Sequence, residues 1–175
     1  MKVLDIGCGG NKFPGAIGVD LYRRREVDVI SDLSCLPFKS ESFDFVYSSH
    51  ILEHFTNFIP VMDEIYRVCE NSARVHIRVP HYSSVHAWGN PTHHRCFNSG
   101  TFVFFDASHP EHYGKCDFKV KSVQLIWDTS PSKGFRKLLK PLMSHLVKNP
   151  TRCEWLIGGL FGGFSEMRVE LVAIK

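Results

Sequence analysis

Residues 3–10 read Val-Leu-Asp-Ile-Gly-Cys-Gly-Gly. An apolar run ending in closely spaced glycines is how a buried strand leaves a sheet through a turn that side chains would obstruct. Gly-Val-Asp-Leu follows at 18–21, again an apolar stretch, now with an acidic residue at the tip. The first run is unbroken rather than alternating, so it reads as a strand buried on both faces. The two glycines Gly7 and Gly18 are separated only by positions 8 to 17, which include Pro14 and Gly15. A crossover between parallel strands generally needs a dozen residues or more, usually as a helix. The first helix is therefore expected to be vestigial or replaced by a loop.

Further along the chain, strands are expected at 2–6, 16–20, 27–31, 43–48, 74–79, 118–127 and 166–174, seven in all. Between the fourth and fifth lies a helical stretch over 50–69. There Ile51, Phe55, Phe58, Met62, Ile65, Tyr66 and Cys69 recur at helical spacing, and Pro60 starts a new helix. Strands alternating with helices imply an α/β fold with a mostly parallel sheet. After Val79 the pattern breaks: 80–117 is rich in His, Pro, Ser, Asn and aromatics, and Asn98 or Ser99 caps a short helix through Phe105. Residues 129–150 are polar and basic, with an amphipathic helix expected at 133–146. No linker divides the chain, so 1–175 reads as a single domain with an insertion at about 80–117 and a basic segment at about 129–150.

Composition excludes several classes. A net charge of +3 does not make nucleic acid the default partner. The longest apolar run, 155–164, holds four glycines and is too short to span a bilayer; it suits a packing loop or a subunit contact. Met1 leads directly into a strand, leaving no room for a signal peptide, so a cytoplasmic location is expected. Six scattered cysteines without a Cys-x-x-Cys pair read as reduced thiols. Most of the ten histidines fall between residues 50 and 112. His93-His94-x-Cys96 is a weak zinc spacing on its own, and no metal is assigned.

The chemistry concentrates at three strand ends. Bare backbone at Gly7 and Gly9 lets a ligand approach, Asp5 orients the loop or reaches a ligand ammonium through water, and Asp20 offers a carboxylate to two ribose hydroxyls. Ser31-Asp32-Leu33 follows the third strand, where Asp32 suits an adenine amino group and Leu33 its ring. Each has a plainer alternative, a turn without a ligand or a solvated carboxylate, but their order along the sheet favours an adenosine cofactor. The run at 43–54, Phe-Asp-Phe-Val-Tyr-Ser-Ser-His-Ile-Leu-Glu-His, leaves the fourth strand toward the ligand's reactive end. His50 and His54 share a helix face if the segment is helical, either as substrate-facing groups or as an ordinary polar face.

Here the chain resembles class I S-adenosylmethionine-dependent methyltransferases. Leu-Asp-Ile-Gly-Cys-Gly at 4–9, Gly-Val-Asp at 18–20, Ser-Asp-Leu…Leu-Pro-Phe at 31–38, the 43–54 run and Asp-Glu-Ile-Tyr-Arg-Val at 63–68 are similar to the family's successive motifs. Asn11 stands at the family's third glycine position. The resemblance implies a Rossmann-like, mostly parallel seven-stranded sheet with helices on both faces and the first helix abbreviated. It implies S-adenosylmethionine as cofactor, with contacts at Asp5, Gly7, Gly9, Asp20, Leu21, Asp32, Leu33 and Ser48. The stretch at 88–98, containing Asn90-Pro-Thr-His93-His94, is more loosely similar to an Asp-Pro-x-His segment of relatives that accompany glycan and natural-product biosynthesis, with Asn90 in place of the Asp.

The expected activity is methyl transfer to a small molecule or glycan precursor, with O-methylation favoured because a hydroxyl acceptor needs a base and histidines abound. His50, His81 and His93 are the candidates. Two other readings stand beside it: a non-catalytic module that binds cofactor or partner, motivated by the open first loop, and a nicotinamide oxidoreductase, which wants glycine where Lys12 stands. The basic residues at 133–148 form a solvated face, a lid for an anionic acceptor or a membrane contact. Oligomeric state is not legible.

Overall fold

The computed structural model describes residues 1–127, 154 and 163–175. The helix expected at 133–146, the basic segment and most of 155–164 lie outside the described residues. Among the described residues, seven strands form one sheet: β1 (Val3–Ile6), β2 (Ile17–Asp20), β3 (Val29–Ile30), β4 (Phe43–Ser49), β5 (Cys69–Pro80), β6 (Phe118–Ile126) and β7 (Glu166–Ala173). Their order is β3-β2-β1-β4-β5-β7-β6. β1 pairs in parallel with both β2 and β4, β2 with β3, and β4 with β5. β7 enters antiparallel between β5 and β6. The carboxyl ends of the parallel strands therefore share one edge, and the amino end of β7, at Glu166, joins it beside Pro80.

One face of the sheet carries the core. Leu4, Ile6, Val46, Val75, Ile77, Val79, Val169 and Leu171 are buried there with Val61, Met62, Ile65 and Val68 of helix α1 (Ile59–Val68). Pro60 sits in the first turn of α1, where its missing N–H costs nothing. The expected helix over 50–69 is thus split: Leu52–His54 form a single 3-10 turn, and α1 begins only after Phe58. β5 starts directly at Cys69, earlier than its alternation predicts, because Cys69 already pairs with Phe43 ahead of an irregularity that resumes at Phe45 and Arg74. The helix expected from Asn98 or Ser99 is a 3-10 segment, Thr101–Phe105.

The opposite face holds Phe45, Tyr47, Arg74, His76 and Arg78, none of them buried. No long helix lies among the described residues on that face. Between β1 and β2 there is no helix at all. Instead the buried Asp5 accepts the Phe13 N–H at 2.6 Å, and the Phe13 ring packs on Tyr47 and Phe45 at 4.8 and 5.7 Å between centroids. Burial pushes the Asp5 carboxyl up to about 6, against the opposing pull of that N–H and of Lys12. The helix α2 (Val85–Gly89) is a single turn capped by Ser84, whose Oγ accepts the His86 N–H. Among the described residues no helix is long and apolar enough to cross a membrane.

α1 also anchors the loop after β3. Arg67 donates to both oxygens of Glu64 and to the carbonyls of Leu36 and Phe38, while Glu64 accepts the Leu36 N–H at 2.7 Å. The Arg67 guanidinium holds Glu64 below the usual carboxylate range. A carboxylate whose folded pKa is lowered stabilises the fold above its unfolded value of about 4.3 and loses that contribution as pH falls. Glu64→Ala is expected to lower stability by about 1.5–3 kcal/mol at neutral pH, and the deficit relative to the parent should shrink as pH is lowered below about 4, as measured by urea unfolding at a series of pH values.

Candidate active site

The turn after β1 is closed by Gly7 and Cys8, whose N–H groups both donate to the Val19 carbonyl of β2, at 2.8 and 3.2 Å. Gly7 has φ +69°, and a Cβ there would fall 2.4 Å from Cγ1 of Ile51. Its bareness serves the packing of the 50–54 segment over the turn as well as the approach of a ligand. Gly9, with φ +54°, has open space where a Cβ would point. At the tip of β2, Asp20 accepts the Gly9 N–H through Oδ2 at 2.9 Å and the Tyr22 N–H through Oδ1 at 3.0 Å. The carboxylate is held by backbone donors, and each oxygen keeps a lone pair for a further donor. Asp32, beyond β3, accepts the N–H and hydroxyl of Ser34, which hold it below the ordinary carboxylate range.

These strand ends converge. Gly7, Gly9, Asp20, Leu21, Asp32 and Leu33 line one cavity of about 620 Å³. Tyr22, Arg24, Ile51, His54, Phe55 and Thr92 complete its wall. Two expected contacts are not in this lining. Asp5 is spent on holding the loop through Phe13, and Ser48 is fully buried within β4, its Oγ without a partner among the described residues. The inner faces of β1 and β4 are filled by core packing, which is why only the strand tips reach the cavity.

A second cavity, of about 800 Å³, adjoins the first through His54 and is lined by His50, Glu53, His54, Arg78, His86, Asn90, His93 and Glu166 among others. The segment 80–117 forms its far wall and is laced to the 50–58 segment. The His94 N–H donates to the Glu53 carbonyl at 2.8 Å, and Arg95 donates to the carbonyls of Phe55 and Thr56 with its guanidinium 4.7 Å from the Phe58 ring centroid. Phe58 packs edge-on against Phe97, Phe102 and Phe105. Asn90 shapes the turn, its Oδ1 accepting both the N–H and the hydroxyl of Thr92.

The three candidate histidines take different places. His50, in the left-handed region at φ +53°, stands between two carboxylates, with Nε2 3.0 Å from Glu166 and Nδ1 3.4 Å from Glu53. Hydrogen bonds to Glu166 and then Glu53 push it up to about 9, so both ring nitrogens are donors. His81 lines neither cavity: it is fully buried, with Nδ1 on Ser83 Oγ and Nε2 on Glu154 Oε1. It ties the start of the 80–117 segment to Glu154, which also receives the Ser99 N–H and hydroxyl. His93 lies in the second cavity, its Nδ1 3.1 Å from the Ala87 carbonyl.

Sequence reasoning missed the carboxylates. Glu166 is 2% exposed and accepts from His50, Arg78 and Arg168. Burial alone would raise it, but these three donors outweigh burial and hold it far below the usual carboxylate range. Its place is set by β7 running back to the carboxyl edge, which nothing local in the sequence announces. Glu53 is 1% exposed, and its Oε2 has no partner among the described residues. It was visible only as the residue between two histidines.

The two turn glycines should separate on substitution. Gly7→Ala meets both the left-handed backbone cost, about 1–2 kcal/mol, and overpacking against Ile51, about 1–3 kcal/mol. Gly9→Ala meets only the first. Chemical denaturation should therefore show Gly7→Ala as the less stable variant by at least about 1 kcal/mol; equal losses would mean Ile51 does not press on the turn.

Comparison with known proteins agrees with the fold and with the motifs of the first half of the chain. The family model described as Methyltransferase domain matches residues 4–77. The structure is similar to that of a SAM-dependent methyltransferase from Archaeoglobus fulgidus, with a TM-score of 0.63 at 21% identity over 98% of this chain and 85% of the other. It is also similar to the [4+2]-cyclase SpnF, with a TM-score of 0.59 at 11% identity over 99% of this chain and 74% of the other. In sequence, an uncharacterized protein of Methanocaldococcus jannaschii is 29% identical over 96 residues, which are 47% of this chain and 42% of the relative, less than half its length. The structural likenesses speak to the fold, and the matched motifs at 4–77 to the family. The match over residues 4–77 and the shared fold support the class I S-adenosylmethionine-dependent methyltransferase family, with S-adenosylmethionine as the cofactor that family indicates.

Proposed function

We propose that this protein transfers a methyl group from S-adenosylmethionine to a hydroxyl of a small polar molecule or a glycan precursor. The observation that carries this reading is the meeting of two cavities at His54. One is floored by the glycine turn and Asp20, the other walled by hydrogen-bonding side chains. Gly9 and Gly7 leave the backbone open, Asp20 suits the two ribose hydroxyls, and Asp32 with Leu33 suits the adenine. Bound in that cavity, S-adenosylmethionine supplies an electrophilic methyl group.

The chain's own part is alignment and charge. Ile51, Phe55 and Thr92 roof the cofactor cavity, and the second cavity places an acceptor against the same wall. Alignment of this kind supplies several kcal/mol of a displacement barrier, up to about 7–11 in the best cases. His50, with both nitrogens committed to carboxylates, holds Glu166 and Glu53 in place at the wall of the acceptor cavity rather than acting as a base. His81 serves the framework. The proton of a hydroxyl acceptor then leaves toward Glu53, His54 and His93, the groups nearest the junction. A cavity lined by His, Glu, Arg and Asn favours a polyhydroxylated acceptor over an apolar one.

Fold alone does not confer an activity, and a cyclase shares this one. Calorimetric titration with S-adenosylhomocysteine separates the possibilities. The parent protein should bind it, and Asp20→Ala should weaken binding by 100-fold or more, since each charge-assisted hydrogen bond is worth about 1.5–3 kcal/mol. No binding by the parent would sink the reading. Binding without methyl transfer to any hydroxylated acceptor would favour the module that only holds the cofactor.

A further inference from the structure

The junction of the two cavities carries more than a base. Glu53, His54 and His93 offer donor atoms that all lie within 4.8 Å of one another. The geometry points to a binding site for a divalent cation of the zinc class, held by these three residues.

The tautomers support it. The Nδ1 of His93 faces the Ala87 carbonyl at 3.1 Å, an acceptor, so Nδ1 carries the proton and Nε2 a lone pair. That Nε2 stands 4.0 Å from Glu53 Oε1. The Nδ1 of His54 faces the Thr92 carbonyl at 3.2 Å and the Thr92 hydroxyl at 2.9 Å. That hydroxyl itself donates to Asn90 Oδ1, so it accepts from His54, and the His54 Nε2 lone pair is also free. Imidazoles whose outer N–H groups are fixed by carbonyls are the usual form of metal-ligating histidines. Between them Glu53 is 1% exposed, with Oε2 lacking any partner among the described residues. A buried carboxylate oxygen without a donor is rare unless something positive faces it.

Two imidazoles and one carboxylate form a donor set typical of zinc with a position left open. The rings come from the segments after β4 and after α2, so no local spacing betrays the set. The 80–117 segment brings His93 to Glu53 through the His94–Glu53 backbone bond and the Arg95 anchor. Where the methyl-transfer reading holds, and this role rests on it, a hydroxyl ligating the open position would release its proton to solvent near neutral pH, in place of transfer to these three side chains, and become the nucleophile. Cation binding itself stands apart from that reading.

Chelator-stripped protein titrated with Co(II) and with Zn(II) alone, without cofactor, tests the site. One equivalent should bind, and the Co(II) spectrum should show ligand-field bands without thiolate charge transfer. Zinc-edge X-ray absorption of the parent should show nitrogen and oxygen neighbours and no sulfur. Glu53→Gln and His93→Asn should each weaken binding at least 10-fold, while His109→Ala with His112→Ala leaves it unchanged. Absence of stoichiometric binding by the parent, sulfur in the zinc shell, or full affinity in folded Glu53→Gln and His93→Asn would overturn the assignment.

Discussion

Parallel strands that end together leave their last backbone groups and tip side chains at one edge, and the structure of this chain follows from how that edge is satisfied. Gly7 and Cys8 donate to Val19, Gly9 and Tyr22 donate to Asp20, and Ser34 donates to Asp32. Each bond spends a donor that would otherwise face solvent or ligand. What remains is a concave row of carboxylates fixed by backbone, with glycine where a side chain would close it. The acidic groups are placed before any ligand arrives, which is the sense in which such a site is preorganised.

The same edge recruits distant parts of the chain. β7 runs antiparallel, so its first residue, Glu166, arrives beside the end of β5 and binds Arg78 and His50. The 80–117 segment folds back over the 50–58 segment and brings Thr92 and His93 to His54 and Glu53. The aromatic group of Phe58, Phe97, Phe102 and Phe105 supplies the apolar packing beneath this lacework. The two cavities therefore share the segment that follows β4, with His54 in the lining of both.

The sheet was legible because its strands are short, apolar and punctuated by Gly, Asp and Pro. The strand tips that line the first cavity were legible for the same reason. Asp5 takes the loop-orienting place that was one of its two expected roles, while the place of Ser48 was not legible, because sequence shows that a residue lies near a strand end but not which face it takes. Ser48 turns into the core, and Asp5 turns to Phe13. The helix expected over 50–69 failed at its start because His50 adopts a left-handed backbone and only one 3-10 turn follows. His81 looked like a pocket residue from its place after Val79-Pro80, yet its partner Glu154 lies far along the chain. Long-range pairings of this kind have no local signal, and Glu166 escaped notice on the same ground, whereas Glu53 was visible only through its place between His50 and His54.

The proposed activity requires the carboxyl edge of β1, β2 and β3 to hold the adenosyl half of S-adenosylmethionine while its methyl end points toward His54. A crystal structure of the complex with S-adenosylhomocysteine measures this most directly. Both ribose hydroxyls should lie on the Asp20 carboxylate, the adenine against Asp32 and Leu33, and the sulfur should face the cavity lined by His54 and Glu53. A ribose bound away from Asp20, or a sulfur directed into the opposite face of the sheet, would contradict it.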